Sequence, residues 1–153
     1  MGFIYIMADF ALDIQKFAES FEDGAEHAVR GTSIKLFGEI IRTTPVDEGR
    51  ARANWFVTGQ KPSVKLTSNE DVSRNGSDTA FAAAVAVDKL DDWSVITLTN
   101  NLPYINKLEL GGYGDGPKTT GGYSKQAPVG MVKVNVMRFN FLLSEEARKY
   151  LPK

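Results

Sequence analysis

The chain has no cysteine, which excludes a disulfide framework, a thiolate metal site and a cysteine nucleophile together. Its one histidine, His27, is too little for a zinc site or a histidine-based catalytic relay. No apolar run approaches the roughly 20 residues of a membrane span. The opening Met1–Met7 stretch is apolar, but acidic Asp9 follows it at once and no basic flank marks it for export. Ile6 stands where a myristoylation signal needs serine or threonine. Charge of one sign is also lacking. Eighteen basic residues face 19 acidic ones, for a net charge of −1, so the whole chain is no general polyanion binder. These absences predict a cytosolic address and set ordinary enzymology at a disadvantage.

What is present is globular. At 153 residues, 42% apolar and 24% charged, the chain suffices for a single domain, 1–153, with a sizeable core. Met7-Ala8-Asp9 is a second candidate start, which would make the residues ahead of it, within 1–8, an extension or a short strand. Charge falls in blocks. Residues 30–65 carry seven bases against three acids, and residues 66–102 carry six acids against two bases. Alternating blocks suit head-to-tail contacts between copies, although ordinary solvated surface gives the same pattern.

Apolar or small residues at Phe10, Ile14, Phe17, Phe21, Ala25, Ala28, Thr32, Leu36 and Ile40 trace one face of a helix over 9–43, about 50 Å if unbroken. A break is expected near Asp23-Gly24 or Gly31. Pro45 ends the helix, and Pro45 to Gly49 form a turn. Trp55–Thr58 reads as a strand, and 60–77 as a long flexible loop. Asp78 caps a second helix to about Leu90, with Ala80, Phe81, Ala84 and Val87 inward. Trp93–Thr99 is the clearest strand. Pro103 opens a short helix that Gly111-Gly112 terminates. Residues 111–130 hold seven glycines and two prolines and read as a second flexible loop with no packed element of its own. Val132, Val136, Phe139, Leu143, Ala147 and Tyr150 keep helical phase to the end. The fold predicted is α+β: a small, mostly antiparallel sheet of three to five strands against a long N-terminal helix and a C-terminal helix.

No catalytic set emerges, so the expectation is no enzyme, no metal and no cofactor. The glycines at 111–116 resemble a phosphate-binding loop, but Pro117 stands where that motif needs lysine and removes a backbone donor. His27 lies four residues after Asp23, a structural pairing on one helix face. Asp91-Asp92 and Glu145-Glu146 are adjacent pairs whose side chains diverge in regular structure. Arg50, Arg52 and Trp55, with Tyr113, Lys118, Tyr123 and Lys125, interleave bases and aromatics as single-strand binders do. A core role for Trp55 and a solubilising role for the loop lysines explain the same residues.

Three segments, in order, carry a resemblance: Thr43 to Trp55 (TTPVDEGRARANW), Thr99 to Gly111 (TNNLPYINKLELG) and Tyr123 to Val132 (YSKQAPVGMV). Together they resemble the tail-completion and head–tail joining proteins of long-tailed bacteriophages. The chain departs from that pattern at Glu48, Ala51 and Leu110, where threonine, leucine and an aromatic are common, and in its extra glycines at 114–122.

The resemblance implies a structural α+β virion protein of the phage neck, made in the host cytoplasm. Such a protein completes the tail and joins it to the head connector as a ring, with six copies matching the tail tube. Its partners would be other copies of itself, the tail tube or tail terminator, and the head connector. Genomic DNA would pass through without specific binding, and no membrane is involved. Under this reading Arg50, Arg52, Tyr113, Lys118, Tyr123, Lys125 and Gln126 are candidate subunit or partner contacts. Pro45, Gly49, Trp55, Pro103 and Gly111 are turn, core and helix-end residues. The rival function is a small nucleic-acid-binding module used in phage DNA packaging or replication.

Overall fold

The computed structural model describes residues 22–151. In chain order the helices are α1 (Glu22–Thr43), α2 (Arg50–Ala53), α3 (Ser77–Lys89), α4 (Ile105–Leu110), α5 (Val132–Val136) and α6 (Phe139–Tyr150). The strands are β1 (Phe56–Thr58), β2 (Thr97–Thr99), β3 (Thr119–Thr120) and β4 (Tyr123–Ser124), and a 3-10 turn spans Arg74–Gly76. The architecture is α+β, with a long first helix, a C-terminal helix and small antiparallel pairing. The expected helix between Asp9 and Phe21 lies outside the described residues.

α1 organises the molecule. Glu22 and Asp23 in its first turn and Arg42 in its last oppose the helix dipole favourably. Its buried stripe runs Ala25, Ala28, Val29, Thr32, Ser33, Leu36, Phe37, Ile40 and Ile41, two residues per turn. Against that stripe lie α6 on one side and α3 on the other. The core adds Trp55, Ala83 and Val87, Ile96 and Leu98, Leu102, Ile105 and Leu108, Met131 and Leu142.

The expected break at Gly31 is absent, because the helix runs straight through it. A Cβ at Gly31 would stand 2.5 Å from Glu146 Oε2, and one at Gly24 would stand 2.7 Å from the Tyr150 carbonyl oxygen. Seven residues apart, the two glycines lie on one face and notch α1 so that α6 can close against it. They are packing glycines, not hinges, and each costs the helix about 1 kcal/mol relative to alanine.

Several expectations change in detail. The sheet of three to five strands is instead two separate pairs: β1 with β2, in register Phe56↔Thr99, and β3 with β4, in register Thr120↔Tyr123. The strand expected at Trp93–Thr99 pairs only over its last three residues. α3 turns Ala83 and Val87 inward and leaves Phe81 73% exposed. In a helix this rich in alanine, the one large ring carried the sequence phase the wrong way. The expected single C-terminal helix is two, joined at Met137-Arg138.

Asn135, Leu142 and Glu146 are the buried residues of those two helices. Asn135 is drawn inward because its amide donates to Thr43 Oγ1 (3.0 Å) and to the Met131 carbonyl (2.7 Å). Glu146, 3% exposed, accepts from Lys149 Nζ (2.8 Å) and pairs with Lys35. A periodicity of apolar residues cannot register polar groups that enter the core in hydrogen-bonded pairs.

The two expected loops are held in place. Asp71 rather than Asp78 braces the first turn of α3, accepting from the Thr79 N–H (2.9 Å) and, ahead of the helix, from the Ser73 N–H (2.9 Å). Within 111–130 the β3–β4 hairpin turns at Gly121 and Gly122, both with positive φ (58° and 89°), as a tight two-residue hairpin turn requires. Among the described residues no helix is long and apolar enough to cross a membrane.

Candidate interaction groove

The three segments singled out in the sequence converge on one groove of about 440 Å³. One wall is the turn from Pro45 through Ala51, the second is Tyr104 and Leu108 of the α4 region, and the third is Tyr113, Lys118, Thr119, Ser124 and Gln126.

Each wall is tied to the next by side chain–backbone hydrogen bonds. Gln126 clasps Val46: its Nε2 donates to the Val46 carbonyl (2.8 Å) and its Oε1 accepts from the Val46 N–H (2.9 Å). Glu109 reaches from α4 to the start of α5, where its carboxylate accepts from the N–H groups of Met131 (2.7 Å), Val132 (2.8 Å) and Lys133 (2.9 Å). A carboxylate suits these first N–H groups, which have no partner inside the helix. Gly130 is needed beside it, since φ is +82° and a Cβ would stand 2.6 Å from the Glu109 carbonyl oxygen. Asn100 Nδ2 donates to the Ala51 carbonyl (2.8 Å), joining the second segment to the first.

The turn is equally constrained. Trp55 is 7% exposed, and its indole N–H donates to Thr44 Oγ1 (2.9 Å) across the turn. Gly49, at φ 88°, brings its carbonyl to both the Ala53 N–H and the Asp71 N–H, each at 3.0 Å. Pro45 is buried in the same turn, and Pro103 is exposed ahead of α4. Gly111 ends α4 with φ 84°, donating to the Lys107 carbonyl (3.0 Å). These five residues stand in the turn after α1, in the core and at the two ends of α4.

The candidate contact residues divide. Arg50 is exposed at the groove rim, with no ion pair among the described residues. Lys125 is exposed as well. Lys118 pairs with Asp47, both about three-quarters exposed, a contact worth little in water.

Four candidates are engaged within the chain. Arg52 is 9% exposed and donates to the carbonyls of Ser73 (3.3 Å) and Arg42 (3.1 Å). It is therefore corrected from a surface contact to a buried brace between α1 and the 3-10 turn. Burial lowers its pKa, and the nearby Asp71 charge opposes that shift. Tyr123 lies against Gly111, where a Cβ would come within 3.2 Å of its ring. Tyr113 is half-buried with Lys107 Nζ 4.6 Å from its ring centroid, a cation–π contact. Gln126 is the Val46 clasp. His27 meets Tyr150 edge to face, with ring centroids 5.2 Å apart.

Electrostatics at the groove centre on Tyr104. Burial raises its pKa, Arg50 opposes that, and Tyr113 and Glu48 add to it. A cation, a carboxylate and two phenols thus share one small basin, a surface suited to recognising polar groups. Among the described residues no cluster of His, Cys, Asp or Glu could hold a metal ion. Sequence reasoning missed Thr44, Asn54, Asp71, Asn100, Asn101 and Glu109, each of which hydrogen-bonds backbone or another side chain 8 to 49 residues away. No family model matches the chain, and no curated protein or solved structure matches it either.

Proposed function

We propose that the chain is a structural assembly protein of a phage neck, completing the tail and joining it to the head connector as a ring of copies around the DNA channel. The observation that carries this reading is the convergence of the three family-like segments on one groove, locked together by Gln126 on Val46 and Glu109 on Met131 to Lys133. The side chains that make these motifs recognisable act as internal braces, while Arg50 stays exposed at the rim. That division suits a rigid subunit whose function lies in surfaces rather than in a reaction. It also weakens the nucleic-acid reading, because Trp55 is buried and offers no stacking face.

Light scattering over a concentration series tests it. Six copies of the 16.8 kDa chain form a species near 101 kDa, and Arg50→Glu reduces that species while leaving the monomer folded. Assembly unchanged by Arg50→Glu removes the rim from the contact. Tight DNA binding that weakens steeply with salt would overturn the reading in favour of a packaging or replication module.

A further inference from the structure

Between β1 and the 3-10 turn, residues 61–68 belong to no helix or strand, yet their backbone is hydrogen-bonded at alternate residues. Asn101 Nδ2 donates to the carbonyls of Ser63 (2.7 Å) and Lys65 (3.1 Å). Asn54 donates to the Thr67 carbonyl (3.0 Å) and accepts from the Thr67 N–H (2.9 Å). The Lys65 N–H donates to Ser63 Oγ (3.1 Å). Two asparagine side chains thus occupy the place a neighbouring strand would take along one edge.

In extended backbone, alternate residues present their N–H and C=O groups to opposite edges. The other edge belongs to Val64 and Leu66, whose backbone groups have no partner among the described residues. Their side chains are 92% and 56% exposed. The segment is held like a strand along one edge and left open along the other, and its Val64 and Leu66 side chains are uncovered on one face.

We propose that this open edge accepts an added β-strand from a second copy of the chain. The inference rests on the assembly reading above and gives it a specific contact. Charge selects the occupant. Lys61 and Lys65 are exposed and have no ion pair among the described residues, so pairing the segment with itself would set like charges across the ladder. Asp88 and Asp91 are likewise exposed and unpaired. They belong to the acid-rich block 66–102, whereas both lysines belong to the base-rich block 30–65. The contact therefore brings lysines of one copy toward acids of the next. Pro62, Lys61 and Lys65 also blunt the edge against indiscriminate pairing.

The test combines light scattering with amide hydrogen exchange on the wild-type chain and four variants. Association with rising concentration should slow exchange at the Val64 and Leu66 amides. Leu66→Pro removes an N–H that has no internal partner, and should weaken association by about tenfold or more while circular dichroism stays unchanged. Val64→Lys is the second edge variant should the proline disturb the fold. Lys65→Glu should impair association, and the double variant Lys65→Glu/Asp91→Lys should restore it. Association in which Val64 and Leu66 exchange as fast as in the monomer overturns the strand-addition contact and leaves self-assembly standing through another surface. A chain that stays monomeric at every concentration overturns both the contact and self-assembly in solution.

Discussion

Gln126 and Val46 are 80 residues apart, and the side-chain amide of one hydrogen-bonds both backbone groups of the other, at 2.8 and 2.9 Å. This reciprocal pair joins the turn after α1 to the loop after the hairpin and so closes the groove.

Gln126→Ala should therefore open the groove more than it weakens the fold. Two partly solvated hydrogen bonds are worth about 1–2 kcal/mol together. Urea denaturation should show a loss of that order, and the Val46 amide should exchange markedly faster. Unchanged exchange at Val46 would show that other contacts hold the turn.

Gly49→Ala should be more damaging. The φ of 88° costs an alanine about 1–3 kcal/mol by itself, and its Cβ would stand 2.5 Å from the Asp71 carbonyl oxygen. Displacing Asp71 also loosens the start of α3, so helix signal and thermal midpoint should fall together. A midpoint within a degree of wild type would contradict this close approach.

Removing the Thr44 hydroxyl by Thr44→Val leaves the buried Trp55 N–H without its acceptor. An unsatisfied buried donor costs about 1–3 kcal/mol. Trp55→Phe removes the donor and leaves the Thr44 hydroxyl bonded to the Ile40 carbonyl (2.7 Å), so its cost should come chiefly from the lost ring volume. A double-mutant cycle between the two positions gives the coupling directly, and a coupling near zero would remove the bond from the energetics of the turn.

Acid should destabilise the protein partly through Glu146. Burial raises its carboxyl, but hydrogen bonds from Lys149 and Lys35 outweigh burial and hold its pKa below the ordinary glutamate value. A depressed folded-state pKa contributes stability that is present above the unfolded value, about 4.3, and is lost as pH falls through the folded value. Asp71 has the same sign: burial raises it, and hydrogen bonds from Ser73 and Thr79 more than compensate. Glu146→Gln should lower stability at neutral pH and flatten, without abolishing, the fall of the thermal midpoint below about pH 4.3. An acid limb as steep as wild type would assign the effect elsewhere.

Much of the scaffold was legible along the chain. The α1 stripe from Ala25 to Ile40, the stop at Pro45, the helix end at Gly111 and the burial of Trp55 are local signals. Apolar spacing, a missing N–H and a glycine free to take positive φ act within a turn or two of chain. The α+β class follows from the same signals.

Tertiary structure alone decided the rest. Gly31 reads as a break in sequence and is a notch for Glu146, and Arg52 reads as a surface base and is a brace between α1 and the 3-10 turn. Glu146 and Asn135 took core positions that the periodicity had assigned to Ala147 and Val136. Glu109 and Gln126 gave no local signal, because what they bond lies 22 and 80 residues away. Local spacing encodes which residues leave water. Which buried polar atoms satisfy one another depends on segments that meet only when the chain has closed.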